Sequence, residues 1–224
     1  MAYILNIETA TKNCSVSVGY NEQVIDTVEY AGESYSHAEK LHVFIREILH
    51  KNKVSLNELS AIAVSKGPGS YTGLRIGVSA AKGMAYALNI PLISVSTLAS
   101  LAQQIKTDEK AYIIPLIDAR RMEVYSAVYD QNHHLIRQVA ADILDNCPFA
   151  PYLNRNKVIF VGDAVAKTQK IIQHPNAVFS SVQYPSAEYM HILAYQKFKS
   201  GYFEDIAYFE PYYLKDFIVT KKKR

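Results

Sequence analysis

The residues with the clearest chemical potential are Lys66-Gly67-Pro68-Gly69-Ser70-Tyr71-Thr72-Gly73-Leu74-Arg75-Ile76-Gly77. Gly67 and Gly69 permit tight or left-handed backbone, and Pro68 stiffens the turn between them. An apolar run, 61–64, precedes the block and reads as a strand; a helix-forming segment follows to Leu88. A strand, a glycine-rich turn and a helix form the geometry in which backbone N–H groups face an anion. The block is neither GxxxxGK[ST] nor GxGxxG, and it has no serine centred between glycines as a nucleophile elbow requires.

Two carboxylates stand at comparable places. Glu8 ends the apolar run that begins at Tyr3, and Asp118 ends the run 113–118. Either could face a cleft and help hold a metal–nucleotide, or could cap the turn that follows its strand. The histidines are His37, His42, His50, His133, His134, His174 and His191. None forms HExxH, and His37 and His42 are five apart, which points them to different sides of a helix. Each is expected at the surface or an interface. Cys14 and Cys147 are too few and too far apart for a disulfide framework, which fits a reducing cytoplasm. Cys14, at the start of a strand, reads as core rather than nucleophile.

The elements that would position these groups follow from periodicity. Strands are expected at 3–8, 15–19, 24–30, 60–65, 91–95, 113–118, 124–129, 135–140 and 158–162. Helices are expected from the start signals at 34–37 to His50, then at 71–88, 96–105, 163–174 and 186–200, with 210–214 extended. Asn89 and Pro91 stop the second helix. The order of residues 3–30 recurs from Ile113 at an offset of about 110, a weak internal duplication. Two lobes result, 1–105 and 106–224, divided in the charged stretch Lys106-Thr107-Asp108-Glu109-Lys110. Each opens with three antiparallel-capable strands, which gives an α/β fold of duplicated ribonuclease-H-like lobes.

Gly73, Gly77, Ala81 and Ala85 fall every fourth residue, a row of small side chains along one helix face. Such a row packs tightly on the chain's own sheet or lets a second subunit approach. Val43, Phe44, Ile76 and Ala80 are apolar or small beyond what one core face requires.

Composition narrows the rest. The 224 residues are 49% apolar, with 17 Tyr, no Trp and a net charge of +3, a balance that does not indicate nucleic acid. The basic cluster Lys221-Lys222-Lys223-Arg224 reads as a solvated tail or a phosphate contact. MAYILNIETA has no basic n-region and is not expected to be a signal peptide. No apolar run reaches the roughly 18 residues of a membrane span.

The segment Gly67 to Ala102, with Tyr3-Ile4-Leu5-Asn6-Ile7-Glu8-Thr9-Ala10-Thr11 and Asp118-Ala119-Arg120-Arg121-Met122-Glu123-Val124-Tyr125, closely resembles the TsaB (YeaZ) family of tRNA threonylcarbamoyladenosine biosynthesis proteins. The resemblance covers most of residues 1–130. It implies the actin/sugar-kinase/heat-shock-70 superfold, cytoplasmic and not membrane-bound. It further implies a non-catalytic subunit that pairs through its N-terminal lobe with the transferase TsaD, joined by the ATPase TsaE. The product would be threonylcarbamoyladenosine beside the anticodon of tRNAs that read ANN codons, with tRNA met through the complex.

The small-residue row and the excess apolar residues place the partner interface on the helices 37–50 and 72–88, at Leu41, Phe44, Ile45, Ile48, Gly73, Ile76, Gly77, Ala80, Ala81 and Ala85, a surface that would also form a homodimer when the chain is alone; the resemblance supplies TsaD as its partner. It implies no metal and no cofactor of the chain's own, with ATP or ADP and Mg²⁺ in the complex. TsaD follows a similar block with an H-x-x-x-H metal pair, onto which Thr97 and Leu101 align here. Leucine cannot ligate a metal, and threonine is a poor ligand beside imidazole. Two alternatives remain: a nucleotide-dependent enzyme of the same superfold, and a glycoprotease-like peptidase. The first would need a glycine-rich loop after Asp118, where this chain has Ala119-Arg120-Arg121-Met122. The second would need the missing histidine pair.

Overall fold

A computed structural model describes residues 2–32 and 36–214. The start signals at 34 and 35 and the basic cluster 221–224 lie outside the described residues.

Two five-stranded sheets share one plan. The first orders β3 (Gln23–Ala31), β2 (Asn13–Tyr20), β1 (Tyr3–Glu8), β4 (Leu59–Gly67) and β5 (Leu92–Ser96). The second orders β8 (Leu135–Ile143), β7 (Glu123–Tyr129), β6 (Ala111–Asp118), β9 (Lys157–Val161) and β10 (Ala177–Phe179). In each, the first three strands pair antiparallel and the last two parallel. Glu8 and Asp118 end the equivalent central strands, so the duplication inferred from sequence is real. Ile4, Leu5 and Ile7 are all buried because β1 has a paired neighbour on each side and helices over both faces. The edge strand β3 is half exposed, and its sequence mixes polar with apolar residues accordingly.

Helix α1 (His37–Lys51) buries Leu41, Ile45, Ile48 and Leu49 against the first sheet, a helical stripe in which each side chain contributes roughly 1.5–3 kcal/mol. Helix α2 (Tyr71–Leu88) starts at Ser70, whose hydroxyl accepts the Gly73 N–H, and stops at Asn89. Asn89 has a φ of 53° and directs its N–H to the last-turn carbonyls. Asparagine tolerates this left-handed position better than most residues.

The last helix of each half is exchanged. Helix α3 (Thr97–Ala102) follows the first sheet but packs Leu98, Leu101 and Ala102 on Ile113, Ile117 and Ala127 of the second. Helix α6 (Ala187–Lys199) follows the second sheet but packs Ala187, Met190 and Ala194 on Ile4, Ala61, Ala63, Ile93 and Val95 of the first. Polar bonds fix the start of α6 in place. Ser17 Oγ donates to Ala187 O (2.8 Å), Asn13 Nδ2 donates to Pro185 O (3.0 Å), and Ala187 N donates to Ser15 Oγ (3.0 Å).

The boundary at 105 therefore does not divide two self-contained lobes. Residues 187–213 return to the first sheet, where Glu204 N donates to Leu92 O and Tyr212 N to Lys66 O. The short helices α4 (Ala150–Leu153) and α5 (Val165–Ile171), together with β10, complete the second half. The expected helix 163–174 begins two residues later and ends at Ile171, and β10 and α4 were not expected.

Candidate functional site

A cleft of about 1210 Å³ opens between the two halves. Its first wall is the glycine turn and the start of α2, with Ala10, Thr11 and Lys12. Its second wall is the end of β6 with the turn 119–121. Tyr212, Tyr213 and Leu214 cross its rim.

The glycine turn is shaped by the β1–β2 connection. Ser70 N donates to Ala10 O at 2.7 Å, and a Cβ on Gly69 would lie 2.4 Å from that same carbonyl. Gly67 has a φ of 110°, in the left-handed region that favours glycine. The small-residue row continues the contact: a Cβ on Gly73 would lie 2.2 Å from Thr9 O. The row thus serves the chain's own packing.

That result corrects most of the expected partner interface. Leu41, Ile45, Ile48, Gly73, Gly77, Ala81 and Ala85 are buried in the chain's own core, since the first sheet uses the whole apolar stripe of both helices. Phe44, Ile76 and Ala80 remain half-buried at its margin, and Val43 is 45% exposed.

Glu8 and Asp118 part company. Glu8 is fully buried behind the glycine turn and does not line the cleft. Its Oε1 accepts Ala10 N at 2.6 Å and Ser65 Oγ at 2.9 Å, while Oε2 is buried without a hydrogen-bond partner. Burial pushes the carboxyl up to about 7, against the opposing hydrogen bonds from Ala10, Ser65 and Thr9.

Asp118 lines the cleft. Its Oδ1 accepts Arg120 N at 2.9 Å and Lys167 Nζ at 2.5 Å, so it caps its own turn and is held by an ion pair. Lys167 also donates to Arg121 O and Glu123 O, which holds the turn closed. Arg120 and Arg121 have φ of 72° and 49°, left-handed at two successive non-glycine positions. Both line the cleft with Lys12.

Sequence reasoning missed Asp163, which begins the turn into α5. Its Oδ1 accepts Asp118 N at 2.8 Å, and its carboxyl is pushed up to about 6 by burial, with the Asp118 charge adding to the effect. The available signal was an acidic residue after Gly162 at a strand end. The rim was also missed. Arg75 lies 4.1 Å from the Tyr71 ring centroid, its Nε donates to Tyr213 OH at 3.3 Å, and the Tyr71 and Tyr213 rings meet at 5.1 Å.

Two histidines expected at the surface are core residues. His37 is buried with Nε2 2.8 Å from Thr11 O. His191 is buried against Gly19, its Nε2–H donating to Asn21 O (3.0 Å) and Nδ1 accepting from Asn6 Nδ2 (3.1 Å). That pair of bonds requires the neutral ring, and burial lowers the pKa of both histidines. Cys14 is buried, and its thiol is raised to about 11 by burial, so it is core. Thr97 and Leu101 are both fully buried on α3. Among the described residues no three His, Cys, Asp or Glu side chains gather where a metal ion could be held. No described helix is long and apolar enough to cross a membrane.

A family model for TsaD, tRNA N6-adenosine threonylcarbamoyltransferase, matches residues 31–223. The tRNA threonylcarbamoyladenosine biosynthesis protein TsaB of Escherichia coli (strain K12) is 30% identical over 226 residues, covering 98% of this chain and 97% of that protein. The TsaB of Bacillus subtilis (strain 168) is 32% identical over 176 residues, 76% of this chain and 75% of the relative. Among solved structures, YeaZ from Pseudomonas aeruginosa superposes with a TM-score of 0.83 at 28% identity, over 96% of this chain and all of that one.

Proposed function

The chain belongs to the TsaB (YeaZ) family, and we propose that it acts in tRNA threonylcarbamoyladenosine biosynthesis as a non-catalytic subunit of the TsaD transferase. The observation that carries this reading is the pair Thr97 and Leu101. They stand where the resemblance to TsaD calls for two metal-binding histidines, and both are sealed in the core of α3. Neither side chain supplies an imidazole to a metal, so the Lewis-acid chemistry of the transfer falls to the partner.

In this proposal the partner docks on the margin between α1 and α2, at Val43, Phe44, Ile76 and Ala80, with the buried stripes beneath holding the two helices rigid. The same margin closes a homodimer when the transferase is absent, because an isologous contact hides the patch that the partner otherwise covers. The ATPase TsaE and the ANN-decoding tRNA join through the complex, in the cytoplasm. ATP or ADP with Mg²⁺ belongs to the assembly. Glu8 and Asp118 do not make a joint site for it, since Glu8 lies behind the glycine turn and Asp118 is already engaged by Lys167.

The test is co-purification with the transferase, followed by a modification assay on unmodified tRNA. The expected result is no product from this chain alone and a gain when it is added to the transferase. Product from the chain alone, or one equivalent of tightly held zinc or iron in it, overturns the reading.

A further inference from the structure

A second cavity, of about 290 Å³, shares no lining residue with the interlobe cleft. It lies where β4 and β5 end, against the start of α3 and the last turns of α6. Val95, Ala99 and Leu193 give it an apolar floor, and Lys66 and Lys197 also line it, near enough for the Lys66 charge to act on Lys197.

Those two cations are poorly compensated. Lys197 is half-buried, with Nζ donating to Ser94 O at 2.7 Å and lying 4.8 Å from the Tyr202 ring centroid. Neither lysine forms an ion pair among the described residues. Glu204 is the acid whose charge Lys197 feels, but its pull is weaker than the opposing push of the Lys66 charge, and its Oε1 also accepts the Ser94 hydroxyl. Burial holds the Lys197 pKa down, and the Lys66 charge lowers it further. Two like charges beside a desolvated wall are unfavourable unless an anion neutralises them.

We propose that this cavity is a binding site for a small organic anion, an oxyanion head held between Lys66 and Lys197 with a short apolar body on Val95, Ala99 and Leu193. The apolar floor favours such a molecule over a bare inorganic ion, because a hydrated ion leaves that floor in contact with water. Scaling from the ~150 Å³ cavity that takes up benzene, there is room for roughly ten non-hydrogen atoms. The head is a carboxylate or a phosphoryl group. The site is independent of the partner surface and of the cleft.

The experiment is a titration of the full chain, labelled at the lysine side chains, followed by NMR at fixed ionic strength. The probes are isobutyrate, isopropyl phosphate, neutral isobutyramide and inorganic phosphate. Isobutyrate or isopropyl phosphate should shift the Lys66 and Lys197 ammonium signals saturably at low millimolar concentration, and the tighter of the two identifies the head. Isobutyramide should not shift them, and inorganic phosphate should bind more weakly than the preferred organic anion. Saturation should raise the Lys197 pKa. Lys66→Met should weaken binding at least about fivefold. It should also raise the Lys197 pKa without any ligand, a signal that reports a folded protein. The proposal is overturned if no probe saturates by about 50 mM, if isobutyramide matches isobutyrate, or if inorganic phosphate binds as tightly as either organic anion.

Discussion

Gly77 and Thr9 are in direct contact: a Cβ built on Gly77 would lie 2.2 Å from Thr9 Oγ1. That hydroxyl cannot turn away freely, because it donates to Gly73 O at 2.8 Å and Thr9 is fully buried. Gly77→Ala gains about 1 kcal/mol of helix propensity but forces a buried side chain or the helix to move. Overpacking, typically about 1–3 kcal/mol, outweighs that gain at a 2.2 Å overlap, for a net loss of up to about 2 kcal/mol. Gly83, on the exposed side of the same helix, has nothing within 4 Å of a built Cβ. Gly83→Ala should stabilise by about 0.5–1 kcal/mol. Urea denaturation of the two variants gives opposite shifts of midpoint.

Ala81 and Ile76 separate folding from docking. Ala81 is 0% exposed in the first core, so Ala81→Glu buries a carboxylate without a partner and should cost about 3 kcal/mol or more. The outcome is poor solubility, not a clean monomer. Ile76 is only half-buried, and Ile76→Glu can turn its charge to water. Circular dichroism should show Ile76→Glu folded, and pull-down with the transferase should show binding reduced at least tenfold. A folded Ile76→Glu that still binds normally removes the α1–α2 margin from the proposal.

A fragment of residues 1–105 should not fold by itself. Without α6, the faces of Ile4, Ala61, Ala63, Ile93 and Val95 lose Ala187, Met190 and Ala194. Without the second sheet, Leu98, Leu101 and Ala102 lose Ile113, Ile117 and Ala127. The expected readout is strong binding of a hydrophobic dye and no cooperative unfolding transition. A sharp transition would show that the exchange of helices is dispensable.

The duplication was legible because strand period and strand-ending carboxylates are local signals: Ile4 to Glu8 and Ile113 to Asp118 can be compared by eye. The stop of α2 was equally legible, since Asn89 and Pro91 act on their own backbone. The helix exchange was not, because Met190 reads the same whether it covers Val158 or Ile4; only the path of the chain decides. The small-residue row had two consistent readings for a related reason. Spacing shows that a close approach occurs at Gly73 and Gly77, not whether Thr9 or another subunit makes it. His37 and His191 were misplaced because polar partners far along the chain, Thr11 O and Asn6, make burial of imidazole acceptable.

Glu8 should make the protein less stable as pH rises through neutrality. Its pKa is about 7 when folded against an ordinary 4.5, so the folded state holds the proton more tightly than the unfolded chain. Below about 4.5 both states are protonated and no ionic burial cost exists. As pH rises the unfolded chain ionises first, and once pH passes about 7 the folded state ionises too and the full cost is reached, about 3 kcal/mol at 1.36 kcal/mol per unit. Asp163, raised to about 6 from 3.8, acts in the same direction over a lower window. Glu8→Gln keeps an oxygen for Ala10 N and Ser65 Oγ, so it should remove most of the slope between about pH 5 and pH 8 while leaving the fold intact. Adding Asp163→Asn should remove part of what remains at the acidic end. Denaturation free energies at a series of pH values measure this. If wild-type stability rose over that range, or if Glu8→Gln had the wild-type slope, Glu8 would not be ionising behind the glycine turn.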